Sequence, residues 1–228
     1  MTFKLENVVP WGRSMHEYVR MFDLKDELKL KILDCGGGSA SFNAEMTQQG
    51  YSVISCDPIY QFTAAEIARR VRETYQTIID GTKIHCDRFV WQDIPSPDEL
   101  GKIRIAAMNK FIADFPSGLQ QGRYVIEELP HLSFNSHQFD LALCSHFLFT
   151  YSGNLSLDFH IAAISEMCRV AKEVRIFPLL VQFTGESSPW LQPVIDEMQR
   201  RGCEVEIRQV AYQFQKGGDR LLKVRALS

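Results

Sequence analysis

The chain has 228 residues, 45% of them hydrophobic and 23% charged, with a formal net charge of −3. This is the composition of an ordinary globular protein, with room for one α/β domain plus an elaboration. It excludes a strongly basic field that would draw nucleic acid or an anionic membrane surface, and no apolar run nears the roughly 20 residues of a membrane span. Met1-Thr2-Phe3-Lys4 opens onto a polar stretch without a signal-peptide core. Cys35, Cys56, Cys86, Cys144, Cys168 and Cys203 form no C-x-x-C pair, so they read as reduced thiols of a cytoplasmic protein without a metal site.

Residues 1–30 precede the first strand pattern. Pro10-Trp11-Gly12-Arg13-Ser14 is an aromatic and cationic elbow, and Met15, Tyr18, Val19 and Phe22 predict a helix over 14–22. Trp11 is expected to pack against that helix, with Arg13 or Tyr18 within reach of a bound cofactor, since a guanidinium suits a carboxylate. Ile32-Leu33 then runs into Asp34, the glycines Gly36, Gly37 and Gly38, and a helical segment ending at Gly50. Glycines at a strand-to-helix turn let a ligand approach the backbone and the free N–H groups of the helix start. The second strand, Tyr51 to Cys56, delivers Asp57, an acid placed to accept both hydroxyls of a ribose. Strand, glycine turn, helix, strand and acid make the front half of a nucleotide-binding sheet.

Thr63-Ala64-Ala65-Glu66 is a capping box, opening a helix striped by Ile67, Val71, Tyr75 and Ile78 that Gly81 is expected to end. From 82 to 122 no clear sheet strand occurs, apart from a candidate at 88–91. A second capping box, Ser96 to Glu99, opens a helix striped by Leu100, Ile103, Ala107 and Phe111, which Pro116 and Gly118 are expected to close. This reads as a helical insertion before the third strand. Its one-sided stripe needs a partner surface, and the expected place is over the carboxyl edge of the sheet as a lid on the acceptor pocket. A homodimer contact is the alternative.

Residues 123–127 resume the sheet and Glu128 falls just past its end. Leu132, Ser133 and Phe134, a polar loop, and Phe139-Asp140 lead into the strand ending at Ser145-His146. A helix faced by Leu157, Ile161, Ile164 and Cys168, the strand 174–177, and a helix from Ser188 to Gly202 follow. Two last strands, 204–216 and 219–226, flank Gly217-Gly218 as a hairpin.

Two cofactor classes compete for the glycine turn. A dinucleotide fingerprint needs a glycine where Ser41 stands. The spacing Asp34-x-Gly36-x-Gly38-x-Ala40, with Glu128 four residues before Leu132 and the Phe139-Asp140 pair, instead resembles the class I S-adenosylmethionine-dependent methyltransferases, with likeness to bacterial members. Ala40 and Ser133 depart from the family pattern, and the Pro-Gly-Gly usual before the fifth strand is absent. The resemblance implies a single Rossmann-like α/β domain over 1–228, with a seven-stranded, mostly parallel sheet, a C-terminal antiparallel hairpin and helices on both faces. It implies S-adenosyl-L-methionine held by Asp34, Gly36, Gly37, Gly38, Asp57, Pro58, Glu128, Leu129 and Ser145, and methyl transfer to a small-molecule acceptor rather than to nucleic acid. His146, at the sheet's carboxyl edge, is the candidate general base, and Tyr151 a second. The alternative is a catalytically silent relative that binds cofactor and acts as a partner-binding module.

Overall fold

The computed structural model describes residues 11–226. A seven-stranded sheet runs in the order β3-β2-β1-β4-β5-β7-β6. Its strands are β1 (Ile32–Cys35), β2 (Val53–Cys56), β3 (Tyr124–Val125), β4 (Phe139–Ser145), β5 (Ala171–Phe177), β6 (Cys203–Gln209) and β7 (Arg220–Ala226). The first five are parallel, and β7 lies antiparallel between β5 and β6. The architecture is thus the Rossmann-like, mostly parallel sheet with a terminal antiparallel hairpin that the sequence leads one to expect.

Parallel strands covered on both faces read as near-continuous apolar runs, and all four residues of β1 are buried. Helices α5 (Leu157–Val170) and α6 (Leu191–Arg200) cover one face through Ala163, Ile164, Met167, Val194 and Met198. Helices α1 (Met15–Met21) and α2 (Phe42–Gln48) cover the other through Tyr18, Met21, Phe42 and Met46. The chain leaves β1 toward β2 on one side and reaches β4 on the other. The carboxyl ends of β1 and β4 therefore border the crevice where such sheets take ligands.

Between β2 and β3 stand two long helices, α3 (Ala64–Ile84) and α4 (Pro97–Gln120). Helix α3 does not stop at Gly81, and α4 runs through Pro116 and Gly118. Gly81 and Gly118 are buried against neighbouring elements, so their packing overrides their poor helix propensity. A Cβ on Gly118 would lie 2.3 Å from the Tyr124 ring, which explains why no larger residue stands there.

The insertion serves two ends of the molecule. Met108, Phe111 and Phe115 in the later turns of α4 pack with Tyr60, Ile67, Val71 and Tyr124 beside the edge strand. Phe111 is fully buried there, and so does not reach the acceptor pocket assigned to it from the sequence. The early turns are different: Leu100 and Arg104 line the cavity at the carboxyl edge, as do Thr74 and Ile78 of α3.

The rest of the roof comes from places read otherwise in the sequence. β6 ends at Gln209 rather than continuing to Lys216, and Val210 N–H to Asp219 O (2.8 Å) closes its ladder. The intervening loop pairs instead with residues 88–90, through Val90 N–H to Phe214 O (2.7 Å) and Lys216 N–H to Arg88 O (2.9 Å). The candidate strand at 88–91 is this isolated bridge between Phe89 and Gln215. Phe89 and Phe214 stack at 4.9 Å, and Phe183, from the loop after β5, closes the cluster.

Candidate functional site

A cavity of about 1080 Å³ opens at the carboxyl ends of β1 and β4. Small-ligand sites span roughly 300–1,000 Å³, so this one has room for a cofactor and a second small molecule together. A shallower groove of about 600 Å³ shares Pro58, Gln61, Glu127 and Glu128 with it and runs on to His131 and Leu132.

The glycine turn forms one wall. Gly36 (φ +68°) and Gly38 (φ +53°) take the left-handed conformation open to glycine. A Cβ on Gly38 would meet no atom closer than 3.9 Å, so its α-face looks into open space, the situation of a backbone that a ligand approaches. Gly37 points the other way, and a Cβ there would lie 2.5 Å from Asp34 Oδ2 and 2.8 Å from the Tyr60 hydroxyl.

The two acids at the strand ends face opposite ways. Asp34 is 1% exposed and lies beneath the turn, where it accepts from the Tyr18 hydroxyl (3.1 Å) and the Ser55 hydroxyl (3.0 Å). It does not line the cavity, and it holds the turn from below. Asp57 does line it, accepting from Gly38 N–H (2.9 Å) through one oxygen and Ile59 N–H (2.8 Å) through the other. Each oxygen keeps a second lone pair for a ligand hydroxyl. Burial pushes the Asp34 carboxyl up to about 7, against the Ser55 and Tyr18 hydrogen bonds. Burial likewise carries Asp57 up to about 6, opposed by its two backbone donors and helped by Glu128.

A raised folded pKa has a definite sign. Near pH 4 both carboxyls are protonated when folded and about half ionised when unfolded, so the folded form binds more protons. Stability from these two groups is present below about pH 4 and is lost as pH rises through 6 and 7. Urea titrations of the ligand-free protein and of Asp34→Asn should therefore diverge between pH 5 and pH 8, the variant losing less stability as pH rises. An equal slope in the variant would remove Asp34 as the cause.

Gly36, Gly37, Gly38, Asp57, Pro58, Glu128, Leu129, Ser145 and His146 all line the cavity. Glu128 is exposed at the rim, whereas its neighbour Glu127 is half-buried and accepts from Ser133 N–H (2.8 Å). His146 adopts φ +51°, an uncommon conformation for a non-glycine residue, and its Nδ1 lies 3.0 Å from Ser145 Oγ. Burial, followed by the positive charges of Arg13 and Arg104, holds its pKa well below the usual value, so the imidazole is neutral at pH 7. Tyr151 is buried and also lines the cavity.

Of the elbow, Pro10 falls outside the described residues. Gly12 is seated on the turn so closely that a Cβ would come 2.0 Å from Ser39 O, and Ser41 N–H donates to Arg13 O (3.0 Å). These contacts fix Arg13 beside the glycines, with its Nε lacking a partner. Burial, and then Arg104, lower its pKa to about 10, a sign of cationic crowding.

Sequence reasoning missed Glu17 and Arg104. Glu17 is 5% exposed and Arg104 1%. Arg104 Nη1 donates to both Glu17 oxygens at 2.6 and 2.5 Å, and the Tyr212 hydroxyl adds a third bond at 3.0 Å. Two signals were present in the sequence. Arg104 interrupts the apolar stripe Leu100, Ala107, Phe111, where a cation needs a buried partner. Ser14-Met15-His16-Glu17 is itself a capping box, realised at the start of α1.

No family model matches the chain. An uncharacterized protein of the archaeon Methanocaldococcus jannaschii, MJ0045, is 34% identical over 227 residues, covering 97% of both chains. Among solved structures, magnesium protoporphyrin IX methyltransferase from Synechocystis PCC 6803 with bound SAM aligns over 93% of this chain and 78% of its own, at 13% identity and a TM-score of 0.48. A SAM-dependent methyltransferase from Aquifex aeolicus aligns over 92% of each chain, at 13% identity and a TM-score of 0.43.

Proposed function

The chain belongs to one family with the uncharacterized archaeal protein, and from the cavity at its strand ends we propose that it binds S-adenosyl-L-methionine and transfers the methyl group to a small molecule. The observation that carries this reading is the wall formed by an open glycine turn between Asp57 on one side and Arg13 on the other. A nucleoside joined to an amino acid presents a sugar diol at its middle and a carboxylate at one end, and these side chains answer both.

Asp57 would accept the ribose hydroxyls with its free lone pairs, and Pro58, Leu129 and the Glu128 rim would border the base. Gly36 to Gly38 would admit the chain linking sugar to amino acid, and the Arg13 guanidinium, which lines the cavity, would take the carboxylate. Asp34 contributes indirectly, by fixing the turn from below. Bound there, the cofactor supplies an electrophilic methyl on sulfur, whose in-line displacement asks the protein for position and exclusion of water. The aromatic roof of Phe89, Phe183 and Phe214 serves the exclusion. His146, neutral and facing the cavity, would accept the acceptor's proton where there is one to lose.

Melting curves with S-adenosylmethionine, S-adenosylhomocysteine and NAD test the reading, because a ligand selective for the folded state raises the melting temperature with concentration. The first two should do so and NAD should not. Stabilisation by NAD alone would overturn the proposal. Binding without release of S-adenosylhomocysteine across a broad set of small acceptors would favour the catalytically silent module.

A further inference from the structure

We propose that a second copy of this chain docks on the free edge of β6, in an antiparallel strand pair centred on Ile207 that continues the sheet across a two-fold axis. Among the described residues β6 is the outermost strand at its end of the sheet, and β5 and β7 separate it from the β1–β4 crevice, so the pairing is independent of what the cavity binds. Free edges are commonly blunted by a bulge, a proline or a very short strand. β6 carries neither bulge nor proline, and it pairs with β7 without a break from Cys203 to Gln209. Val210 N–H donates to Asp219 O at the end of that ladder. Hydrogen-bonded and non-bonded pairs alternate along an antiparallel ladder, so Arg208, Glu206 and Glu204 direct their backbone groups to β7. Val205, Ile207 and Gln209 therefore turn theirs outward, where a further strand can take them.

The side chains select a copy as the partner. Ile207 is 42% exposed, and by strand alternation it shares the face on which Cys203 and Val205 pack against the core. In a pair centred there it meets the partner's Ile207 across the axis. On the other face Glu206 stands opposite the partner's Arg208, and Arg208 opposite the partner's Glu206. These two side chains already pair within one chain at 3.0 Å, so two copies make a square of alternating charge. Opposite charges directly across a strand pair favour association, and like charges oppose it. Neighbouring registers do worse on that ground. A centre at Val205 sets Glu204 against the partner's Glu206, and a centre at Arg208 sets that guanidinium against itself. A centre at Glu206 gains pairs between Glu204 and the partner's Arg208 but places two Glu206 carboxylates together between them. A pattern that matches itself under a two-fold axis is what an isologous dimer requires. One strand from each chain buries little area, so the contact belongs to the weak, exchanging class.

Sedimentation velocity of the full chain, from micromolar to several hundred micromolar, tests this. The mass should rise with concentration toward that of two chains. Glu206→Arg and Arg208→Glu each set like charges opposite one another, and each should need at least tenfold more protein to dimerise. Mixed in equal amounts, the two variants present matching strands and should associate again. Both side chains reach solvent, so circular dichroism and melting should show both variants folded. Should either fail to fold, Ile207→Lys, which sets two ammonium groups together at the axis, is read in its place and should be monomeric. A chain that stays monomeric at every concentration overturns the proposal. So does a dimer of unchanged affinity in the variants, which would put the contact on another surface, such as the insertion helices. Loss in both single variants without recovery in their mixture overturns the pairing centred on Ile207.

Discussion

Glu17→Ala is expected to cost about 3–5 kcal/mol of folding stability, the range for removing one partner of a buried ion pair. The carboxylate accepts from Arg104, from the Ser14 backbone N–H (3.0 Å) and from Tyr212, so it ties α1, α4 and the roof loop at one point. Alanine would leave Arg104 buried without a counter-charge beside Arg13. The charge, rather than the packing, makes the loss large, so a second change that discharges Arg104 should recover much of it. Urea unfolding of Glu17→Ala and of Glu17→Ala with Arg104→Met measures both. A single variant that loses less than about 1 kcal/mol, the scale of an exposed pair, would mean that water reaches the ion pair. Burial alone would raise the Glu17 pKa, but Arg104 overcomes it and brings the carboxyl down to about 2. A depressed folded pKa gives stability that is present above the unfolded value near 4.3 and lost as pH falls through about 2. Its sign is opposite to that of Asp34 and Asp57, so Glu17 withdraws stability on the acid side and the two aspartates withdraw theirs as pH rises.

Asp57→Ala should weaken S-adenosylhomocysteine by about 2–3 kcal/mol, from two hydrogen bonds at roughly 1–1.5 each, which is about 30- to 150-fold in affinity. The same substitution releases Gly38 N–H and Ile59 N–H, so the turn itself loosens and the melting temperature of the free protein should also fall. Asp57→Asn separates the two effects, because its amide oxygen still accepts one backbone N–H. Calorimetry compares the three proteins. A folded alanine variant with undiminished affinity would take Asp57 out of the binding site and leave it a turn-stabilising residue.

Much of the fold was legible because its signals are local. The apolar runs of β1 and β4, the Thr63–Glu66 capping box and the glycines after β1 each report on residues a few positions apart, and the structure realises all of them. Asp34 and Asp57 look alike in the sequence, each an acid after an apolar strand. Their roles diverge because Asp34 lies within β1, in register with Ser55, whereas Asp57 stands past the end of β2 and caps the turn that follows it. That pairing turns one carboxylate under the glycines and leaves the other above them.

The amino-acid sequence by itself determined the parallel sheet, its terminal hairpin, the glycine turn and the acid at the end of β2, since period, turn chemistry and strand order follow from short-range sterics and apolar patterning. Only the tertiary structure decided what closes the cavity and what charge it holds. Glu17 meets Arg104 across 87 positions and Tyr212 across 195, and residues 88–90 pair with a loop more than a hundred positions later. No local pattern encodes such a meeting. It arises because buried charges must find partners and because aromatic faces on three separate excursions bury one another over the strand ends.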